Sequence, residues 1–166
     1  MTAETGTALR LDRMDLKILS ALQMNGRITN QRLADTVGLS PSACLERVRR
    51  LQGAKIILGY TAELDLARLG KPLTVFAEVA LDHHGGQRTF EERLAEIEEA
   101  VECFEISGAY DYLVRFVCSG IGDYQQLTGQ MLNDPRWGVR QITSLVTMRS
   151  VFRRPARPRQ PDAAPA

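Results

Sequence analysis

The chain predicts an α+β fold in two modules, and three observations carry that prediction. Residues 40–51, SPSACLERVRRL, read as a capped, arginine-bearing helix that follows a shorter helix across a glycine turn. After a break punctuated by Gly70 and Pro72, alternating and helical apolar periods succeed each other as strand, helix, strand, strand, helix, strand. Charge divides the chain as well. Residues 1–60 hold nine Lys and Arg against five acids, residues 61–152 eight against fourteen, and residues 153–166 four against one. The net charge of +1 therefore conceals a basic first module and an acidic second one. The first, residues 9–64, is expected to be a winged helix-turn-helix domain. The second, residues 73–152, is expected to be a ferredoxin-like βαββαβ domain, with residues 65–72 as a hinge strand between them.

Within the first module, Met14, Ile18, Leu19 and Leu22 fall on one face of residues 12–23 and supply an opening helix for a small core. In residues 30–39, Leu33, Ala34 and Val37 keep helical spacing, and Gly38 is placed to end the helix in a left-handed conformation. Ser40 can accept from the free N–H groups of the next first turn, and Pro41 is tolerated there because its missing donor has no partner to lose. Along that helix Leu45, Val48 and Leu51 form an apolar stripe, with Ser42, Glu46, Arg47, Arg49 and Arg50 mostly off it. Two short helices across a tight turn are the arrangement in which the second enters the major groove of DNA and the first crosses the backbone. Ile57, Tyr60, Thr61 and Leu64 make residues 56–64 strand-like, and pairing near Arg27 and Ile28 would give the unit its wing.

In the second module, Val75, Ala77, Val79 and Leu81 alternate along residues 73–81 as in a strand. Phe90, Leu94 and Ile97 build a helix over 89–99; strands are expected over 101–106 and 112–118, a second helix over 121–132 and a last strand over 139–152. This order covers one sheet face with helices and leaves the other bare. A module of about 80 residues buries too little surface to keep an apolar sheet face in water, so that face is expected to pair with a second copy in a homodimer. Residues 1–8 and the Pro- and Arg-rich residues 153–166 are expected to be disordered tails.

The candidate partner of the first module is double-stranded DNA. An arginine can bind guanine bidentately or grip phosphate, and a serine hydroxyl near a helix N-terminus suits a phosphate or a base edge, which nominates Ser40, Ser42, Arg47, Arg49 and Arg50. Asn30, Gln31 and Arg32 open the preceding helix, where they could hold the DNA backbone or simply cap the helix. Glu46 and Glu63 could instead neutralise the arginines. In the second module, Gly108, Ala109, Tyr110, Asp111 and Tyr112 have parts that complement an amino acid zwitterion. Backbone N–H groups beside the glycine can approach a carboxylate, the aspartate can take an ammonium, and the tyrosines add apolar area with polar tips. The same residues make a sound hairpin turn, and both readings stay open at this level.

Other functions find little support. No apolar run approaches the roughly 18 to 20 residues of a membrane span, and residues 1–7 lack the apolar core of a signal peptide, so a cytoplasmic, nucleoid-associated protein with no membrane partner is expected. Cys44, Cys103 and Cys118 are odd in number and widely spaced, as suits reduced thiols. His83 and His84 are adjacent, a poor chelating geometry on an extended chain, and Gly85 and Gly86 after them read as loop. Trp137 reads as a packing or interface anchor. No cofactor, metal site or catalytic set is expected.

LDRMDLKILSALQMNGRIT, GLSPSACLERVRRL and GYTAELD resemble the N-terminal pattern of the Lrp/AsnC transcription regulators, and SGAYDYLVRF resembles the loop and strand of their effector domain. The resemblance runs from about Leu11 to Phe152. It implies a sequence-specific DNA-binding regulator that responds to a small effector, usually an amino acid, bound at the loop of residues 108–112 near the junction between dimers. It also implies dimers that often stack into octamers or other higher assemblies. The family's last strand often carries a Thr-x-Thr pair near the ligand; the matching positions here are Ile142 and Ser144, with Thr143 between them. With Leu145, Ile142 favours an apolar or aromatic ligand side chain. Two alternatives accompany this reading: an architectural DNA-binding protein without an effector, and an enzyme like the related siroheme decarboxylases, for which only His83 and His84 speak.

Overall fold

A computed structural model of the chain describes residues 9–70, 72–82, 86–152, 154–156 and 158. They fall into two compact units: residues up to Glu63 together with 154–156 and 158, and Leu64–Phe152. The expected disordered N-terminal tail lies outside the described residues, as does most of the C-terminal one.

In the first unit, α1 (Arg13–Met24) starts at a reciprocal cap. Asp12 accepts from the N–H groups of Met14 and Asp15, and Asp15 accepts from the N–H of Asp12. α2 (Asn30–Val37) is capped by Thr29 and ends at Gly38, whose φ of +76° is left-handed. The N–H groups of Gly38 and Leu39 both donate to the Ala34 carbonyl, closing the helix end. α3 (Pro41–Gly53) begins at Ser40, which accepts from the Ala43 N–H at 3.3 Å. Ile18, Leu33, Ala34, Val37, Cys44 and Leu51 form the core between these helices. A fully buried side chain of the size of Ile18 or Leu51 contributes about 1.5–3 kcal/mol over its exposed state.

Two expectations for this unit are corrected. The buried stripe of α3 runs through Cys44 and Leu51 with Val48 half-buried, while Leu45 is 37 % exposed. The stripe keeps Val48 and Leu51 and exchanges Leu45 for its neighbour Cys44, whose small thiol packs inward. Nor do residues 56–64 form a strand. Ile56 and Ile57 donate back to the Leu51 carbonyl at 3.0 and 3.3 Å, and Ile28 donates to Asn25, so both segments of the expected wing spend donors locally. The chain instead lays Tyr60 over Gly26, where an added Cβ would meet the tyrosine ring at 3.3 Å. The second unit opens with one short helical turn, α4 (Leu66–Leu69).

The second unit carries a four-stranded antiparallel sheet in the order β2-β3-β1-β4. Its elements are β1 (Leu73–Leu81), α5 (Gln87–Leu94), β2 (Ala100–Glu105), β3 (Tyr112–Cys118), α6 (Ile121–Asn133) and β4 (Val139–Val146), with a 3-10 turn, Pro135–Trp137, before β4. Val75, Ala77 and Val79 pair with Phe116, Val114 and Tyr112, and these residues make one buried layer with Phe90, Leu94, Tyr124, Met131 and Trp137. Trp137 is thus a core anchor, packed edge-on against Phe90 and covered by the Arg93 guanidinium at 4.5 Å. β4 stops short of the expected 152 because its partner ends. Thr147 makes a last bond to Thr74, one residue from the start of β1, and beyond it no strand remains to pair with. α5 is also shorter than expected, since Glu96 and Ile97 turn back onto Arg93 and Leu94.

Candidate functional site

The two candidate sites lie one in each unit, and each is built from backbone turns that the sequence marks. At the meeting of α2 and α3, the Asn30 side chain donates to the Pro41 carbonyl at 2.8 Å, tying together the first residues of both helices. Gln31 donates to Asp35 at 3.2 Å. The hydroxyls of Ser40 and Ser42 lie 3.3 Å apart beside the open first turn of α3. Gln31, Arg32, Ser40, Ser42 and Arg49 are exposed, and no hydrogen bond or ion pair engages the guanidiniums of Arg32 or Arg49 among the described residues.

Arg47 and Arg50 are placed differently. Arg47 Nη1 donates to Asp12 Oδ2 at 2.7 Å and to Asp15 Oδ1 at 2.9 Å, and Arg50 Nη2 donates to both oxygens of Asp15 at 2.8 and 2.7 Å. The arginines of α3 are paired, then, by acids of α1 and not by Glu46 or Glu63. The Asp15 side chain is fully buried. A buried carboxylate is tolerable only when cations and hydrogen bonds replace its water, and leaving one unpaired costs about 3–5 kcal/mol. Backbone N–H donation from Asp15, together with Arg47, holds the Asp12 carboxyl at about 2, below its ordinary 3.8. A signal for this network was present in the sequence: Asp15 precedes Ile18 and Leu22 by three and seven residues, which sets an acid on the apolar stripe of α1.

The loop between β2 and β3 is pinned to the end of β1. Ile106 donates to the Asp111 carbonyl, the Asp111 N–H donates to Val79, and Asp111 Oδ2 accepts from the Leu81 N–H at 2.8 Å. At the loop's tip Gly108 has a φ of +127°, which a side chain would strain. Tyr110 reaches across to β4, its hydroxyl 2.8 Å from that of Thr143, and accepts from Gln141 at 3.4 Å.

The remaining expected residues lie elsewhere. Ile142 and Ser144 pair with Val79 and Ala77, so they face the helix layer, where Ser144 bonds the Tyr124 hydroxyl at 2.6 Å. Tyr112 is buried there too, stacked near Phe90 and donating to Glu91 Oε1 at 2.7 Å. Burial first and then Glu91 push its phenol well above the ordinary range. The sheet thus separates Tyr110 from Tyr112, Ile142 and Ser144. Thr143 and Gln141, which the sequence reading passed over, share its other face with Tyr110; the two-residue period of a strand was the signal that could have found them.

Among the described residues no group of three His, Cys, Asp or Glu is placed to hold a metal, and no helix is long and apolar enough to cross a membrane. Cys44 and Cys118 are buried, Cys103 is exposed, and all three are free thiols. Burial pushes the Cys44 and Cys118 thiols up, which keeps them protonated at neutral pH. His83 and His84 lie outside the described residues.

Comparison with known proteins agrees with both units. The AsnC-type helix-turn-helix domain matches residues 11–52, and the Lrp/AsnC ligand binding domain matches residues 74–157. The Bkd operon transcriptional regulator of Pseudomonas aeruginosa is 41% identical over 151 residues, covering 89% of this chain and 97% of the relative. The leucine-responsive regulatory protein of Escherichia coli is 41% identical over 145 residues, covering 85% of this chain and 87% of the relative. Among solved structures, a transcriptional regulator of Neisseria meningitidis in complex with L-methionine superposes with a TM-score of 0.76 at 29% identity, covering 87% of this chain and 94% of that one. A helix-turn-helix built to meet DNA and a separate ligand-binding sheet domain, each matched over its length, place the chain in the Lrp/AsnC family of transcriptional regulators.

Proposed function

We propose that this regulator reads a two-fold DNA site as a homodimer and that an amino acid bound beside the loop of residues 108–112 alters its binding or assembly. The observation that carries the DNA part is the exposed group at the start of α2 and α3. Asn30 and Ser40 set the geometry there, while Gln31, Arg32, Ser42 and Arg49 are presented to phosphates and base edges. For the effector, Asp111 has one oxygen committed to the Leu81 N–H and offers Oδ1 to an ammonium. Gly108 and Ala109 offer the backbone to a carboxylate, and Tyr110 with Thr143 forms a polar side wall. Ile142 faces the helix layer and does not line this site, so the preference for an apolar amino acid rests on the methionine held by the meningococcal relative.

The homodimer is supported by the sheet face away from the helices. There Phe76, Leu113 and Val117 are half-buried and Phe104 and Leu145 are each 52 % exposed, interrupted by Glu78 and an Arg115–Glu102 ion pair. Dimers are proposed to stack into an octamer or another higher assembly on the nucleoid, as the family resemblance implies. An effector regulates only if it favours one assembly or conformation over another.

The test is binding to DNA from upstream of the chain's own gene, followed at several salt concentrations with and without each of the twenty amino acids. If each module meets about four phosphates, log affinity should fall against log salt with a slope of about −7 per dimer. One apolar amino acid should shift the affinity or the pattern of bands, and Asp111→Ala should abolish that shift while DNA binding persists. A flat salt dependence would remove the DNA reading, and indifference to every amino acid would remove the effector reading.

A further inference from the structure

We infer that Asp15 is a specificity-determining residue, which holds Arg47 and Arg50 of α3 away from DNA phosphates so that Arg49 alone of the three arginines is free to contact DNA. The inference rests on the DNA interface proposed above and concerns how that interface discriminates among sequences. Arg47 and Arg50 stand three residues apart, hence on the same side of α3, and both point their guanidiniums at one carboxylate of α1. Arg50 meets it through both oxygens, and Arg47 is shared with Asp12. The side chains of Arg47 and Arg50 remain 28 % and 44 % exposed, so they could swing out to an anion if the inward one were absent. Arg49 lies between them in sequence and therefore about 100° or more away around the helix, exposed and unpaired among the described residues.

Competition between the two anions favours Asp15. A buried carboxylate attracts a guanidinium through a medium of low effective dielectric, whereas a phosphate at the DNA surface does so through water and condensed counterions. Every arginine that reaches a phosphate raises affinity for any sequence alike. Discrimination comes from base-edge contacts, so two restrained arginines lower the nonspecific background against which those contacts are read. Asp15 thereby acts through Arg47 and Arg50 as a positioning residue, with no contact to DNA of its own.

The test uses the full chain and two duplexes, one from upstream of its own gene and one of random sequence. Asp15→Asn should bind the random duplex more tightly at low salt. Its salt slope should steepen by about 0.9 per module, from the phosphate contact of the freed Arg50, while Arg47 keeps its bond to Asp12, and its preference for the upstream duplex should shrink. Because Asp15 is buried and that variant could fail to fold, Arg50→Gln and Arg49→Gln supply an independent arm. On the random duplex Arg49→Gln should flatten the slope by about 0.9 per module, while Arg50→Gln should leave it unchanged. An Arg50→Gln slope as flattened as that of Arg49→Gln would overturn the inference and leave the DNA interface standing. A wild-type slope near zero would remove the interface, and the inference with it.

Discussion

Gly38 sets the angle between α2 and α3 through a single left-handed residue, φ +76°, with no atom within 4 Å of where a Cβ would sit. The cost of a side chain there is therefore backbone conformation alone. Gly38→Ala is expected to destabilise the first unit by about 1–2 kcal/mol, measured by urea unfolding followed through its helical signal. A loss below the error of the measurement would mean that the turn relaxes and does not fix α3. The cap residues Ser40, Pro41 and Gly38 could be read directly from the sequence because each depends on its own backbone and on neighbours two or three positions away. Arg47 and Arg50 could not be placed that way: their partners are 32 to 35 residues distant, so the packing of α1 against α3 decides where they point.

The elements of the second unit show how strand length depends on a neighbour. β3 alternates over its full length and β1 from Val75 to Val79, because both are central and paired on two sides; at the end of β1, where the register with β4 shifts, Ala80 and Leu81 are both buried. β4 and the expected wing of residues 56–64 have apolar residues enough, but a strand persists only where a partner's N–H and C=O groups remain, and both run out of them. The face of the finished sheet away from α5 and α6 carries Phe76, Leu113 and Leu145. Leu145 on that face lies opposite Phe76 across β1 and β4, so Leu145→Glu should place a charge in the proposed dimer contact without entering the helix-side core. Sedimentation is expected to show a shift toward monomer with the circular dichroism unchanged; a variant that remains dimeric would move the interface elsewhere.

At the scale of the whole molecule, Asp12 in the first unit and Asp134 in the second are strongly acidic carboxyls, and acid should weaken both units. Asp12 is held at about 2 by the Asp15 N–H and Arg47, and Asp134 at about 2 by the side chain and N–H of Arg136, each against an ordinary 3.8. As pH falls the unfolded chain takes up these protons first, so the stability they contribute is present above about pH 5 and is lost as pH falls toward 2. Tyr112 acts at the other end. Its raised phenol keeps its proton when the unfolded chain has lost it, and stability should fall as pH rises past 10. Urea midpoints measured from pH 2 to 11 check both limbs, and a midpoint level between pH 5 and 2 would show that Asp12 and Asp134 are not held by these arginines. The sequence by itself determined the two-domain plan, the helix-turn-helix and the succession of strands and helices along the second domain. These rest on periodicity, caps and turn residues, whose causes act over a few positions of the chain. Tertiary structure alone decided that Cys44 and not Leu45 completes the buried side of α3, which arginines are free, and which of the loop and β4 residues share a face of the sheet. Each of those follows from the packing of segments distant in sequence, where a shift of one residue turns a side chain to the opposite side.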